Sequence, residues 1–186
     1  GDKTLSGKVP FKDGLMEGTS KLFYSNGKMA SVATFKNGKV EGIQKDYYEN
    51  GKIKREISHK NGVVDGIAKV YYPTGKLMSE ESYKNDQLDG IVKRYDENGK
   101  LVQQATFKNG VQVGIQKDYY EDGKLKMELN YKNGKPEGIG RSYYPNGKVF
   151  IEENYKNGER DGVAKAYDEN GKLLQQATFK NGQQIK

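Results

Sequence analysis

The sequence predicts an all-β chain: tandem 24-residue β-hairpin repeats forming an elongated, twisted, single-layer antiparallel sheet, a β-meander rod. Three observations predict it. Glycines recur at Gly18, Gly42, Gly66, Gly90, Gly114, Gly138 and Gly162 with no insertion between them. Each interval carries two Asn-Gly-type turn signals, such as Asn50-Gly51 and Asn61-Gly62, separated by stretches with β-compatible alternation. All 14 tyrosines fall in three fixed columns of the repeat, although mean hydropathy is only −0.97.

In chain order, a partial first repeat spans 1–17, and seven tandem repeats follow at 18–41, 42–65, 66–89, 90–113, 114–137, 138–161 and 162–186, one continuous repeat domain. The repeat reads G-I-x-K-x-Y-Y-x-N-G-K-L, then five variable residues, then Y/F-K-N-G-x-x-D/E. The start of the chain joins this register partway, because Leu5, Phe11, Lys12, Gly14 and Glu17 match Leu77, Tyr83, Lys84, Asp86 and Asp89. A second level lies above it. Residues 42–113 resemble 114–185, as in GIQKDYYENGK against GIQKDYYEDGK, so three repeats form a larger block that duplication explains.

Strand parity bears on the turns. Two-residue type I′ loops would divide Ile43 and Tyr47 from Ile53, Ile57 and His59, whereas three-residue loops, a type I turn followed by left-handed glycine, place all five on one face. Pro73 and Pro145 fit the longer loop, since they fall where a type I turn wants φ near −65°. Asp86 stands at a turn-glycine position and can adopt positive φ at some cost. Pro10 and Pro136 fall within predicted strands, where neither can donate a ladder hydrogen bond. About fifteen strands at roughly 4.8 Å each would give about 70 Å of untwisted sheet. The expected minimal core is a stripe of Ile43, Ile67, Ile91, Ile115 and Ile139 with Phe23, Tyr47, Tyr71, Tyr95, Tyr119, Tyr143 and Tyr167 and the leucines Leu77, Leu101, Leu125 and Leu173. A single layer cannot hide such a stripe, so the sheet must curl, pair with a second copy or hold a partner.

The pattern GxxxxYYxNGKLxxxxxYKNGxxD resembles the MORN repeat family, in its bacterial variant, over almost the whole chain. The resemblance implies a twisted antiparallel sheet of hairpins, a scaffold or adaptor role toward proteins or lipids, and a tendency to self-associate. It also implies an antitoxin-like or surface and secreted context. The tryptophans and Gly-Glu-Trp lead of the eukaryotic repeats are absent, so phosphoinositide binding is not carried over.

Residue inventory points away from catalysis. The chain has no cysteine and a single histidine, His59, which occupies the column of Phe35, Tyr83, Phe107, Tyr131, Tyr155 and Phe179, so no common triad, zinc site or cofactor is expected. Glu80-Glu81 and Glu152-Glu153 are adjacent on strands and should face opposite ways. Asp96-Glu97-Asn98-Gly99 and Asp168-Glu169-Asn170-Gly171 read as turns rather than calcium loops. Binding is the expected function. The second tyrosine column, Tyr24, Tyr48, Tyr72, Tyr120 and Tyr144, should face away from the apolar stripe and is the candidate binding surface, with packing against the neighbouring strand as the alternative. Lysine columns, Lys45, Lys69, Lys93, Lys117 and Lys165 among them, with a net charge of +7, suggest anionic lipid or polymer as a second partner class. Interleaved glutamates argue against nucleic acid and for cross-strand charge pairing. Cell-wall or carbohydrate attachment is a third reading, opposed by the missing tryptophans. The expected partner is therefore a protein, including a second copy of this chain. No transmembrane span is expected, and a secreted, surface or periplasmic site is favoured over the cytoplasm.

Overall fold

A computed structural model describes residues 6–185, so the Leu5 match lies outside the described residues. They form twenty-one β-strands and no helix. They fall in two compact units: one runs to Gly90 and takes in Tyr95–Gly99, and the other comprises Ile91–Arg94 and the chain from Lys100. The first is an antiparallel meander in which Gly18–Phe23, Met29–Lys36, Gly42–Tyr47, Ile53–Lys60, Val63–Tyr71 and Leu77–Lys84 pair in succession. The second is likewise an antiparallel meander, in which strands from Leu101–Lys108 to Gln183–Ile185 pair in succession. Strands outnumber the expected fifteen in part because some are interrupted just before the repeat glycine, as between Lys39–Val40 and Gly42–Tyr47 and between Lys135–Pro136 and Gly138–Tyr143, whereas Val63–Tyr71 runs through Gly66.

The two Asn-Gly signals fold differently. At the first, Gly51 N–H donates to the Tyr48 carbonyl and Tyr48 N–H to the Lys52 carbonyl, each at 2.8 Å, with Gly51 at φ 88°. This is the three-residue loop expected from parity, and Pro73 takes its first central position, with Gly75 N–H on the Tyr72 carbonyl. The second is not. Lys60 lies opposite Val63, and Asn61 (φ 52°) and Gly62 (φ 84°) are both left-handed, which makes a two-residue type I′ turn. Asp86 reaches φ 65° in that setting, and its carboxylate accepts Val64 N–H at 2.6 Å.

A bulge then overturns part of the parity expectation. Tyr47 lies opposite Ile53, but Asp46 lies opposite Arg55, leaving Lys54 as an extra residue. The same irregularity recurs next to Phe23, Tyr119, Tyr143 and Tyr167. Ile43, Lys45, Tyr47, Ile53, Glu56 and Ser58 consequently share one face, which we call the isoleucine face. Ile57 and His59, opposite Gln44 and Gly42, lie on the other, not with Ile43 as expected.

That second face, not the isoleucine stripe, holds the core. Ser20, Ala68 and Val92, each following the isoleucine column by one residue, are buried, as are Ala33 and Ala105 in the column across from them. We call it the alanine face. Small residues lie there because larger neighbours close over them: a Cβ at Gly140 would come within 2.8 Å of Leu129 Cδ1 and 3.3 Å of the Tyr155 ring. The expected minimal core is thus corrected, since the isoleucines stand on the open side.

The two strand prolines also find reasons. Pro136 lies opposite Tyr131 beside the type I′ turn, where the missing N–H would point out of its own hairpin, as Val64 N–H does toward Asp86. Pro10 is not within a strand but between Ser6–Lys8 and Phe11–Lys12.

Candidate binding surface

The isoleucine face has three rows. In the first unit Ile43 and Ile67 stand in the first and are exposed by 56% and 41%; in the second, Ile91, Ile115 and Ile139 do so and are exposed by 44%, 52% and 45%. Strand alternation puts the basic column two residues on, and the aromatic column two residues further, on the same side. Phe23, Tyr47, Tyr71, Tyr95, Tyr119, Tyr143 and Tyr167 are all half-buried there.

Charges in the middle row answer one another. In the first unit Lys45 lies opposite Glu56, and Lys69 opposite both Glu56 and Glu80, with Nζ to carboxylate distances of 3.8 Å for Lys45–Glu56 and 3.9 Å for Lys69–Glu80. In the second, Lys117 faces Glu128, Lys165 faces Glu152, and Arg141 Nε donates to Glu152 at 2.8 Å. Arg141 and Lys21 complete the basic column; arginine in place of lysine hides position 141 from a lysine pattern. Two tyrosines join this row: Tyr71 hydroxyl donates to Glu56 at 2.6 Å and Tyr143 to Glu128 at 2.5 Å. Burial together with these glutamates pushes both phenols up to about 12. They stay protonated donors.

The second tyrosine column has its hydroxyls engaged. Tyr24 donates to the Tyr47 carbonyl at 2.5 Å, Tyr48 to Tyr71 at 2.6 Å, Tyr72 to Tyr95 at 2.8 Å, Tyr120 to Tyr143 at 2.5 Å and Tyr144 to Tyr167 at 2.8 Å. Each bond ties a hairpin to the next. The rings are half-buried, and Lys54 and Lys126 ammonium groups lie 5.8 Å and 5.7 Å from the centroids of Tyr48 and Tyr120.

On the alanine face the polar groups are mutually satisfied. Asp46 accepts from Ser31, Gln44 and Arg55. Burial opposes its ionisation, but those three donors outweigh it and hold the carboxyl below the usual range. Asp118, one large block later, accepts from Gln103 and Gln116. Glu81 accepts from Ser79 and Tyr83, and Glu153 from Tyr155 and Arg160. Glu80 and Glu81 therefore do face opposite ways, as do Glu152 and Glu153. Asp96–Gly99 and Asp168–Gly171 are turns, each closed by the glycine N–H on the aspartate carbonyl. His59 stands in the aromatic column, and neither ring nitrogen, both buried, has a hydrogen-bond partner. No group of three His, Cys, Asp or Glu suited to a metal occurs among the described residues.

Comparison with known proteins bears on this repeat. A family model described as MORN repeat variant matches residues 16–37, 40–61, 64–85, 88–109, 112–133, 136–157 and 160–181. No curated protein matches the chain. Among solved structures, the chain is similar to TarM, at 17% identity and a TM-score of 0.36, and to a mutant of S. aureus TarM in complex with fondaparinux, alpha-GlcNAc-glycerol and UDP, at 16% identity and the same TM-score. Both matches cover 52% of this chain and 19% of the other.

Proposed function

The chain belongs to the MORN repeat variant family, whose repeats generally serve in protein or membrane-lipid binding, and we propose that this member is a non-catalytic scaffold that holds a protein partner against its isoleucine face. The observation that carries the reading is the exposed isoleucine row. Burying such side chains against a partner is favourable by about 25 cal/mol per Å² of apolar surface removed from water. The neighbouring half-buried tyrosines add contact area at low entropic cost. A protein is favoured over an anionic lipid or polymer because Lys45, Lys69 and Arg141 already face carboxylates on the same surface. The Tyr24 column supports the hairpin stack that presents this face, since its hydroxyls are spent on the next repeat.

Light scattering during size-exclusion chromatography tests the second-copy case, and affinity capture tests any other protein. Ile67→Glu and Ile139→Glu are expected to reduce dimer or captured partner more than about tenfold, the effect of desolvating a carboxylate in an apolar contact. Tyr48→Phe should leave binding intact. Unchanged association by both glutamate variants, with unchanged thermal unfolding, would sink the reading.

A further inference from the structure

The acidic residue that closes most repeats acts on the following type I′ turn. Glu41 Oε2 accepts Asn61 N–H at 2.7 Å, Glu17 accepts Asn37 at 2.7 Å, Asp65 accepts Asn85 at 3.4 Å, Glu137 accepts Asn157 at 2.8 Å and Asp161 accepts Asn181 at 3.4 Å. Each asparagine is left-handed, so its N–H leaves its own hairpin and joins the kind of backbone concavity that suits anions. At Asp161 the carboxylate is gripped from two sides, because Lys180 Nζ lies 3.1 Å from it. The Lys180 hydrogen bond, outweighing desolvation and aided by Asn181 N–H, holds that carboxyl below its usual range.

One repeat breaks the column. Positions 17, 41, 65, 89, 137 and 161 are Glu or Asp, and position 113 is Val113. Its turn is otherwise unchanged: Asn133 has φ 51°, and Gly134 N–H donates to the Gln112 carbonyl at 2.9 Å. Lys132, the counterpart of Lys180, and Lys135 flank it, and all three are exposed. Among the described residues no carboxylate meets the Asn133 N–H or either ammonium. An open recess of about 350 Å³ is lined by Lys132, Asn133, Lys135, Glu137 and Asn157. The Glu137 carboxylate there is committed to Asn157.

We propose that the Asn133 turn binds a carboxylate supplied by another molecule, an aspartate or glutamate side chain of the protein partner, between its backbone N–H and the Lys132 and Lys135 ammonium groups. The inference rests on the scaffold reading and names what the partner contributes at a second contact point. Its chemistry is taken from the molecule itself, which places its own carboxylates on the equivalent N–H of neighbouring turns.

The test is an NMR titration of the full ¹⁵N-labelled chain with acetate, and in parallel with inorganic phosphate, at constant ionic strength set by chloride. Acetate is expected to move the Asn133 amide saturably and to leave Asn157 and Asn181, already bonded to carboxylates, in place. Val113→Glu supplies the missing group in cis and should abolish the response without lowering the unfolding temperature, whereas Val113→Leu, which brings no acceptor, should retain it. Lys132→Gln and Lys135→Gln should each weaken acetate binding about two- to fivefold, the worth of an exposed ion pair. A silent Asn133 amide, a response to phosphate alone, an equal response at Asn157, or a response that survives Val113→Glu would each overturn the proposal. Since no partner is present in the titration, its failure is distinct from loss of capture by the isoleucine-face variants.

Discussion

His59 concentrates the energetics of single residues in this fold. Its column otherwise holds phenylalanine or tyrosine, and its two ring nitrogens are buried without partners. Burial lowers its pKa below the ordinary 6.5. The unfolded chain therefore takes up the proton first as pH falls, so the stability tied to neutral His59 is complete above pH 6.5 and is lost as pH falls from there through the lower folded pKa. His59→Phe should remove this slope and raise stability by about 1 kcal/mol, the cost of leaving buried polar atoms unpaired. Thermal unfolding of both proteins at neutral and mildly acid pH checks it. The aromatic role of position 59 was legible from its column. The engagement of the Tyr48-type hydroxyls was not, because it depends on how one hairpin lies against the next, which no spacing within a repeat encodes.

At the scale of elements, two turns with the same Asn-Gly signature adopt different geometries. Pro73 and Pro145 exposed the loop length of the first, since a type I turn offers them φ near −65° and a type I′ turn does not. Lys-Asn-Gly in the second lacks such a marker. The bulge was illegible for a different reason: its residue is Ala30, Lys54, Met78, Lys126, Phe150 or Leu174, so the position constrains backbone and not side chain. That one residue carried Ile57 and His59 to the other face. The turn geometry makes a paired prediction. Ser25→Pro, at the position of Pro73 and Pro145, should stabilise by about 0.4–1 kcal/mol by restricting the unfolded chain. Gly51→Ala, at φ 88°, should destabilise by about 1–2 kcal/mol. Chemical denaturation of the two variants measures both.

For the whole molecule, the period was fully legible, because strictly spaced glycines and tyrosines report it directly. Partner identity was not, since columns state what recurs and a partner also reads what does not, as at Val113. Phase matters more than length. Deleting Gly114–Glu137 joins Val113 to Gly138 in register and should leave a cooperatively folded β protein with a small drop in melting temperature. Deleting Gly114–Leu125 removes half a repeat, reverses which columns meet, and should abolish the cooperative transition seen by circular dichroism.

The tyrosine hydroxyls described above reach 23 residues along the chain and no further. Order is thus passed from neighbour to neighbour, like a row of clasps with no long strap. Pulled from its ends, the chain would give way clasp by clasp, each release paying out at most about 80 Å of slack for a repeat of about 24 residues.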